Sequence, residues 1–318
     1  MNPRGIDHQG GVGVWARNVI LELAHLHKIQ FASALGITSR NHALTRLSEN
    51  LLLPFCHPKS QTLISLCNWG PLINNQLVVI HDIAPIRYPG FFNKNYSNWA
   101  RLMLPKLLNK AQTIGTVSRF TKNEIVKVFS IDEAKIHVFG GSTRRNQQNA
   151  DSIPLLSKEN NSKYMLFLGA HDPRKNLDFL LGIWSSVYEQ TGIRLLVTGI
   201  PNSKVFTWNI SANARGVEYL GFVEEFQIER LMRTAMCILS PSIYEGFGLP
   251  IVESLKIGTP VIANITGVVE EINSSGLIAL PLIPELWHKA IVEFKPTKFD
   301  FDWYDWDLVA SKLWQSIR

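Results

Sequence analysis

An α/β chain built from two parallel-sheet halves is predicted, and three observations predict it. Short apolar runs at 77–80, 164–170, 194–200 and 236–239 read as buried strands and alternate with stretches of helical spacing. The alternation occurs on both sides of a polar tract at 143–162, TRRNQQNADSIPLLSKENNS, which offers few apolar anchors. Residues 240–263, SPSIYEGFGLPIVESLKIGTPVIA, join a strand to a helix and then to the next strand, as a layered α/β unit requires. The expected division is 1–150, 151–300 and a C-terminal segment, 301–318, that returns to the first half.

The 318 residues suffice for two domains of ordinary size. With 46% hydrophobic and 18% charged residues, the chain can bury substantial cores, which excludes a disordered polypeptide. A net charge of +6, with basic residues spread along the chain, suits a solvated surface, anionic nucleotides or an anionic membrane face. No basic block or stacking motif stands out, so nucleic acid is not an expected partner. Cys56, Cys67 and Cys237 lack metal-site spacing and read as buried thiols in a reducing compartment. No apolar run reaches membrane-span length and no signal peptide precedes Met1. The expected location is therefore cytoplasmic, with peripheral membrane association left open.

In chain order, the first helix is expected from Val14. There Val14, Asn18, Leu21 and His25 alternate with Trp15, Val19, Glu22 and Leu26 at helical spacing. Gly10, Gly11 and Gly13 precede it, as a flexible entry or as a backbone cradle for phosphate. Gly11, Gly13 and Ala16 also satisfy G-x-G-x-x-A, but the preceding strand and the acid about twenty residues on that a dinucleotide site needs are missing. FASALGI and TLISLCN suit strands and LTRLSENLLLP a short helix, while 77–80 is a fully buried parallel strand ending at His81 and Asp82. That end is where α/β sheets bind ligands; alternatively, His81 is tied to the backbone and Asp82 caps a turn. NYSNWARLMLPKLLNKA and RFTKNEIVKVF read as helices around the strand TIGTVS. Ser118 is a natural N-cap, and Thr121 to Glu124 repeats capping-box spacing. KIHVFGG closes the first sheet.

The second half restarts at YMLFLGA. Its loop, HDPRKN, leads into the helix LDFLLGIWSSVYEQ, which places Arg174 and Lys175 between strand end and helix start. A diphosphate there would meet the guanidinium fork, the ammonium and free helix amides together. RLLVTGI is a strand, VEYLGFVEEFQIERLMRTA a strand and a helix, and 236–239 the next strand. Pro250 and Gly258 then bracket a helix that carries Glu253 in its first turn. GVVEEIN reads as a helix start, SGLIAL as a strand and LIPELWHKAIVEF as a helix. The tail, FDWYDWDLVASKLWQSI, has aromatics that suit packing.

Glu245 lies in the loop before the Pro250 helix, beside Gly246 and Gly248, and Glu253 follows eight positions later. Two glutamates at that spacing mean nothing alone. Inside E-G-F-G-L-P-x-x-E followed by G-T-P-V, they resemble the signature of retaining GT-B-fold glycosyltransferases, glycosyltransferase family 4 (glycosyl transferases group 1). GAHDPRKNL resembles that family's G-x-x-x-P-R-K-N-L donor-phosphate loop, and HDIAPIRYPGFF its H-D-x-x-P segment. VSRFTKNEI and GGVG resemble two further segments. Two features depart from the pattern. Ala170 stands where many relatives have arginine, and the strand before the glycines is short or missing.

The resemblance implies two Rossmann-like domains facing across a cleft. It implies transfer of a hexose, mannose or glucose by family breadth, from a nucleotide diphosphate sugar to a hydroxyl of a glycan or lipid-linked acceptor. Surface polysaccharide synthesis is the implied setting. Glu245 and the backbone of Gly246, Phe247, Gly248 and Leu249 would meet the donor sugar, Glu253 the ribose, and Arg174 and Lys175 the diphosphate. Gly11 and Gly13 would line the donor, and His81 would face the reacting sugar. Glu245, His81 and Lys175 are the implied catalytic group. No cofactor or metal is implied, since cations and helix amides can carry the leaving-group charge, and no compact Asp-x-Asp motif to hold a divalent ion is expected. The rival readings are a GT-B sugar-nucleotide epimerase and a non-catalytic nucleotide-sugar-binding protein. A phosphorylase is disfavoured by the lack of a pyridoxal-lysine motif, and a glycosidase would need two acids flanking the bond.

Overall fold

The computed structural model describes residues 10–26, 58, 60–143, 163–169, 172–199, 214–303 and 305–317. The chain divides into two compact units. One comprises Met1–Arg87, Lys94–Arg144 and Tyr304–Arg318; the other comprises Tyr88–Asn93 and Arg145–Trp303. FASALGI, LTRLSENLLLP, Cys56, most of the polar tract, Ala170 and the residues before Gly10 lie outside the described residues.

In the first unit, α1 (Gly11–Leu26) is followed by β1 (Leu63–Ser65), β2 (Gln76–Ile80) and α2 (Ala84–Arg87). Then come α3 (Lys94–Lys110), β3 (Thr113–Thr116), α4 (Arg119–Phe129) and β4 (Ile136–Val138). The strands pair in parallel in the order β1-β2-β3-β4. Every residue of β2 is buried, as expected for a parallel sheet covered on both faces. Val78, Ile80, Leu104, Leu107, Ile114 and Ile125 form much of the core, each contributing about 1.5–3 kcal/mol by leaving water. Packing forces glycine at position 115, because a Cβ there would lie 2.1 Å from the Phe139 ring.

The second unit runs β5 (Tyr164–Leu168), α5 (Leu177–Thr191), β6 (Arg194–Thr198), β7 (Val217–Gly221) and α6 (Glu225–Thr234). It continues with β8 (Ile238–Ser240), α7 (Leu249–Lys256), β9 (Val261–Asn264), β10 (Leu277–Leu280) and α8 (Pro284–Val292). The parallel sheet has the order β10-β9-β8-β5-β6-β7, around a core that holds the fully buried Trp184 and Trp287. The chain builds outward from β5 to β7 on one side, then restarts at β8 on the other. β5 and β8 therefore flank the switch point, the place where such sheets bind ligands beyond their strand ends.

The last helix, α9 (Trp306–Gln315), belongs to the first unit and packs on α1. Trp306 Nε1 donates to the Thr143 carbonyl at 2.6 Å, and its ring meets Trp15 edge-on at 6.4 Å. Trp15 Nε1 donates in turn to the Gly140 carbonyl at 2.8 Å. Cys67 and Cys237 are buried thiols, and burial pushes the Cys237 thiol well above its ordinary range. Among the described residues, no helix is long and apolar enough to cross a membrane.

Four local expectations need correction. Helix α1 starts at Gly11, not Val14, because the Gly10 carbonyl already accepts from the Gly13 and Val14 amides at 2.9 and 3.1 Å. Gly11 and Gly13 are thus helical residues, not an entry loop. Glu253 lies past the first turn of α7, which begins at Leu249 with Pro250 just inside it. Thr121 and Glu124 form no capping box: Ser118 Oγ takes the Thr121 amide at 3.0 Å, while Glu124 pairs with Arg87 at 2.7 Å. GVVEEIN makes only a single 3-10 turn, Val269–Glu271.

Candidate functional site

The loop after β5 is shaped by its own letters. Asp172 caps a 3-10 turn, Pro173–Lys175, by accepting the Arg174 amide at 3.0 Å. Pro173 supplies the fixed φ of the turn's first position. Asn176 ends it in the left-handed region at φ 60°, a conformation asparagine tolerates. The Arg174 fork closes on Asp172, with Nε 3.0 Å from Oδ1 and Nη2 2.6 Å from Oδ2. Burial works to raise the Asp172 carboxyl, but the Arg174 guanidinium, helped by Lys175, holds it below the usual carboxylate range.

The loop after β8 meets this turn directly. Ile243 N donates to the Arg174 carbonyl at 2.8 Å, and Asn176 Nδ2 reaches the Pro241 carbonyl at 3.3 Å. Across that seam, Lys175 Nζ lies 2.5 Å from Glu245 Oε1, with side chains 18% and 12% exposed. Ser242 Oγ donates to the same carboxylate oxygen at 2.7 Å, and Asn264 Nδ2 holds the Ser242 carbonyl at 2.8 Å. Gly248 turns the chain into α7 at φ 73°, its carbonyl accepting from Ile251 N at 2.9 Å. Only a residue tolerant of positive φ fits that corner. Phe247 is buried and packs 6.2 Å from the Trp303 ring, beside half-buried Gly246 and buried Leu249.

Lys175 and Glu245 therefore meet although 70 residues separate them. Arg174 joins them through its backbone, while its guanidinium is engaged by Asp172. Glu253 lies within α7 and is buried. His81, Gly11 and Gly13 belong to the first unit. There His81 has both features of the backbone-tied alternative. Its Nε2 lies 2.8 Å from the Leu66 carbonyl, and Asp82 Oδ1 caps Ala84 N at 2.9 Å. Burial lowers the imidazole to about 4, against the raising effects of the Leu66 carbonyl and Asp82. A Cβ placed on Gly11 would meet nothing within 4 Å, so packing does not demand glycine there.

Sequence reasoning missed Asp172, Ser242 and Asn264. Asp-Pro before a helix is a readable turn signal for the first. The other two act through contacts that spacing along the chain does not disclose. Asp-x-Asp spacing does occur in the tail, at Asp300–Asp302 and Asp305–Asp307. Among the described residues, however, no three His, Cys, Asp or Glu side chains gather as a cation site would need.

Residues 149–293 match the family model described as Glycosyl transferases group 1. Arg174, Lys175, Glu245 and Glu253 fall inside that span; His81, Gly11 and Gly13 fall outside it. The chain is 28% identical to O-antigen chain mannosyltransferase B of Escherichia coli, over 66% of this chain and 58% of that one. It is 29% identical to O-antigen chain mannosyltransferase RfbU of Salmonella typhimurium (strain LT2), over 70% and 61% respectively. The chain thus spans about three fifths of the length of the curated relatives it matches. Among solved structures, WaaG, a glycosyltransferase involved in lipopolysaccharide biosynthesis, aligns with a TM-score of 0.56. That alignment has 12% identity and covers 89% of this chain and 86% of WaaG. The likeness is one of fold, and the fold is GT-B: α/β, with a parallel sheet in each of two units.

Proposed function

We propose that the chain is a retaining glycosyltransferase of glycosyltransferase family 4. It moves a hexose, mannose or glucose, from a nucleotide diphosphate sugar to a hydroxyl of a glycan or lipid-linked acceptor, in surface polysaccharide synthesis on the cytoplasmic side. The observation that carries this reading is the Lys175–Glu245 pair at the switch point, between two loops joined by the Ile243–Arg174 backbone hydrogen bond and by the Asn176 side chain. Lys175 and Glu245 neutralise one another while no donor is bound. An arriving diphosphate outcompetes a single carboxylate for the ammonium, and Glu245, still held by Ser242, turns to the hydroxyls of the sugar.

As the bond from the anomeric carbon to the phosphate oxygen breaks, the sugar becomes oxocarbenium-like and negative charge grows on the leaving group. Lys175 and the amides at the start of α7 stabilise that charge. The acceptor oxygen bonds to the same face of the carbon, and its proton passes to the departing phosphate. Glu253 is assigned to the ribose. A thermal-shift panel of UDP- and GDP-sugars tests donor use, because a ligand bound only by the folded state raises its melting temperature by mass action. The expected result is stabilisation by one nucleotide series, followed by product with the donor's anomeric configuration in NMR spectra. An inverted product would refute retention, and release of free sugar nucleotide isomers without acceptor would favour an epimerase.

A further inference from the structure

The chain leaves the first unit after Arg87, contributes Tyr88–Asn93 to the second, and re-enters the first at Lys94. This piece, YPGFFN, touches both loops at the switch point. Phe92 is buried, with Arg174 Cζ 5.4 Å from its ring centroid, within reach of a cation over an aromatic face. Tyr88 meets Tyr244 ring to ring at 5.4 Å and stacks on Phe91 at 6.1 Å. Pro89 opens the 3-10 turn between the two anchors and fixes its backbone. Each anchored residue, Arg174 or Tyr244, is the chain neighbour of one member of the Lys175–Glu245 pair.

We propose that Phe92 and Tyr88 are positioning residues for that pair. The Arg174 guanidinium pairs with Asp172 and lies over the Phe92 ring, and the Arg174 carbonyl receives the Ile243 amide. Fixing Arg174 therefore fixes the start of the acidic loop as well as the turn that carries Lys175. Tyr88 restrains the same loop from Tyr244, one residue before the carboxylate. In this role both rings act through Arg174 and Tyr244. The consequence for donor affinity rests on the glycosyltransferase reading; the consequence for the loops does not.

Hydrogen exchange on the ligand-free full chain tests the loops, with the variants Phe92→Ala, Phe92→Tyr, Tyr88→Ala and Tyr88→Phe. The amides of Lys175, Asn176 and Ile243 exchange about tenfold faster in Phe92→Ala, and those of 243–246 in Tyr88→Ala, while β5 and β6 are unchanged. The variants that keep a ring stay within about twofold of the parent. Unchanged loop exchange in both alanine variants overturns the proposal, as does uniform acceleration across the sheet, which marks lost global stability. Calorimetric titration with UDP-glucose and GDP-mannose adds the second readout, with about tenfold weaker binding expected in the alanine variants. If the parent chain binds neither compound, the proposed function fails, and the exchange result alone decides the positioning role.

Discussion

The end of β2 and the seam between β5 and β8 both carry residues expected to do chemistry, and they are built in opposite ways. At the first, His81 is tied through backbone, ring nitrogen and ring face to residues of its own unit. Its amide donates to Asn68 Oδ1 at 2.6 Å, its carbonyl accepts from Thr121 Oγ1 at 3.0 Å, and Trp15 sits edge-on at 5.1 Å. At the second, Lys175 and Glu245 hold each other and stay partly open to water. A buried group satisfied by backbone is committed to the fold. An ion pair at a strand end can be reopened by a ligand of higher charge, so the second region is where ligand-dependent change is expected.

The largest expected effect falls on that seam. Lys175→Ala should cut turnover about 10²- to 10³-fold with little change in donor KM, since it removes charge stabilisation developed in the transition state. Glu253→Ala should instead raise donor KM about tenfold, as loss of a ground-state contact does. Steady-state kinetics with the donor found in the melting panel would decide, and the reverse partition contradicts both roles.

The first region breaks differently, through pH. Burial leaves His81 neutral down to about 4 in the folded chain, while in the unfolded chain it titrates near 6.5. Above 6.5 neither state is protonated and the stability is fully present; as pH falls from 6.5 through about 4, the unfolded state holds the extra proton. Folding of the first unit should lose about 3 kcal/mol across that window. Denaturant melts at stepped pH measure it, and His81→Asn should flatten that limb. A limb as steep in the variant as in the parent would show that other groups carry it. Asp172, whose folded carboxyl is depressed, contributes stability that is lost only at lower pH.

Much of this was legible in the sequence. Buried runs such as LVVI and YMLFL became strands because apolar letters with no polar alternation suit only a covered parallel sheet. Pro250 and Gly258 bracketed α7 through fixed backbone geometry. The motifs placed Lys175 and Glu245 each in a loop between a strand and a helix but did not show that those loops are neighbours or that Asp172 occupies the Arg174 fork. The grip of Phe92 and Tyr88 was illegible for the same reason. It depends on Tyr88–Asn93 belonging to the second unit, and no local pattern encodes that. Gly11 misled because a helix can begin on glycines when a preceding carbonyl, here that of Gly10, accepts its first bonds.

A smaller effect sharpens the comparison within the acidic loop itself. Gly248 sits at φ 73°, and a Cβ there would come 3.3 Å from Ile251 Cδ1. Gly248→Ala should cost about 1–2 kcal/mol from the left-handed backbone. Ile251 can yield by a rotation at its tip, so the steric part adds little. Melting curves should show that modest loss together with a raised donor KM, because the corner directs the amides of Gly248 and Leu249.

The smallest expected effect is none, and it concerns charge. Among the described residues, Arg174 and Lys175 pair at the seam with Asp172 and Glu245. Asp172 occupies the Arg174 fork and Glu245 holds Lys175, so in the proposed reaction the Lys175 ammonium is the charge that would pass to an incoming diphosphate. If that exchange, with the helix amides, neutralises the leaving group, then EDTA should leave turnover within about twofold while lowering the ionic strength should speed it. Loss of turnover on chelation, restored by a divalent ion, would mean that Lys175 is insufficient and that a cation joins the diphosphate. The seam would then resemble the His81 corner more than supposed, with its ion pair kept intact and committed to the fold.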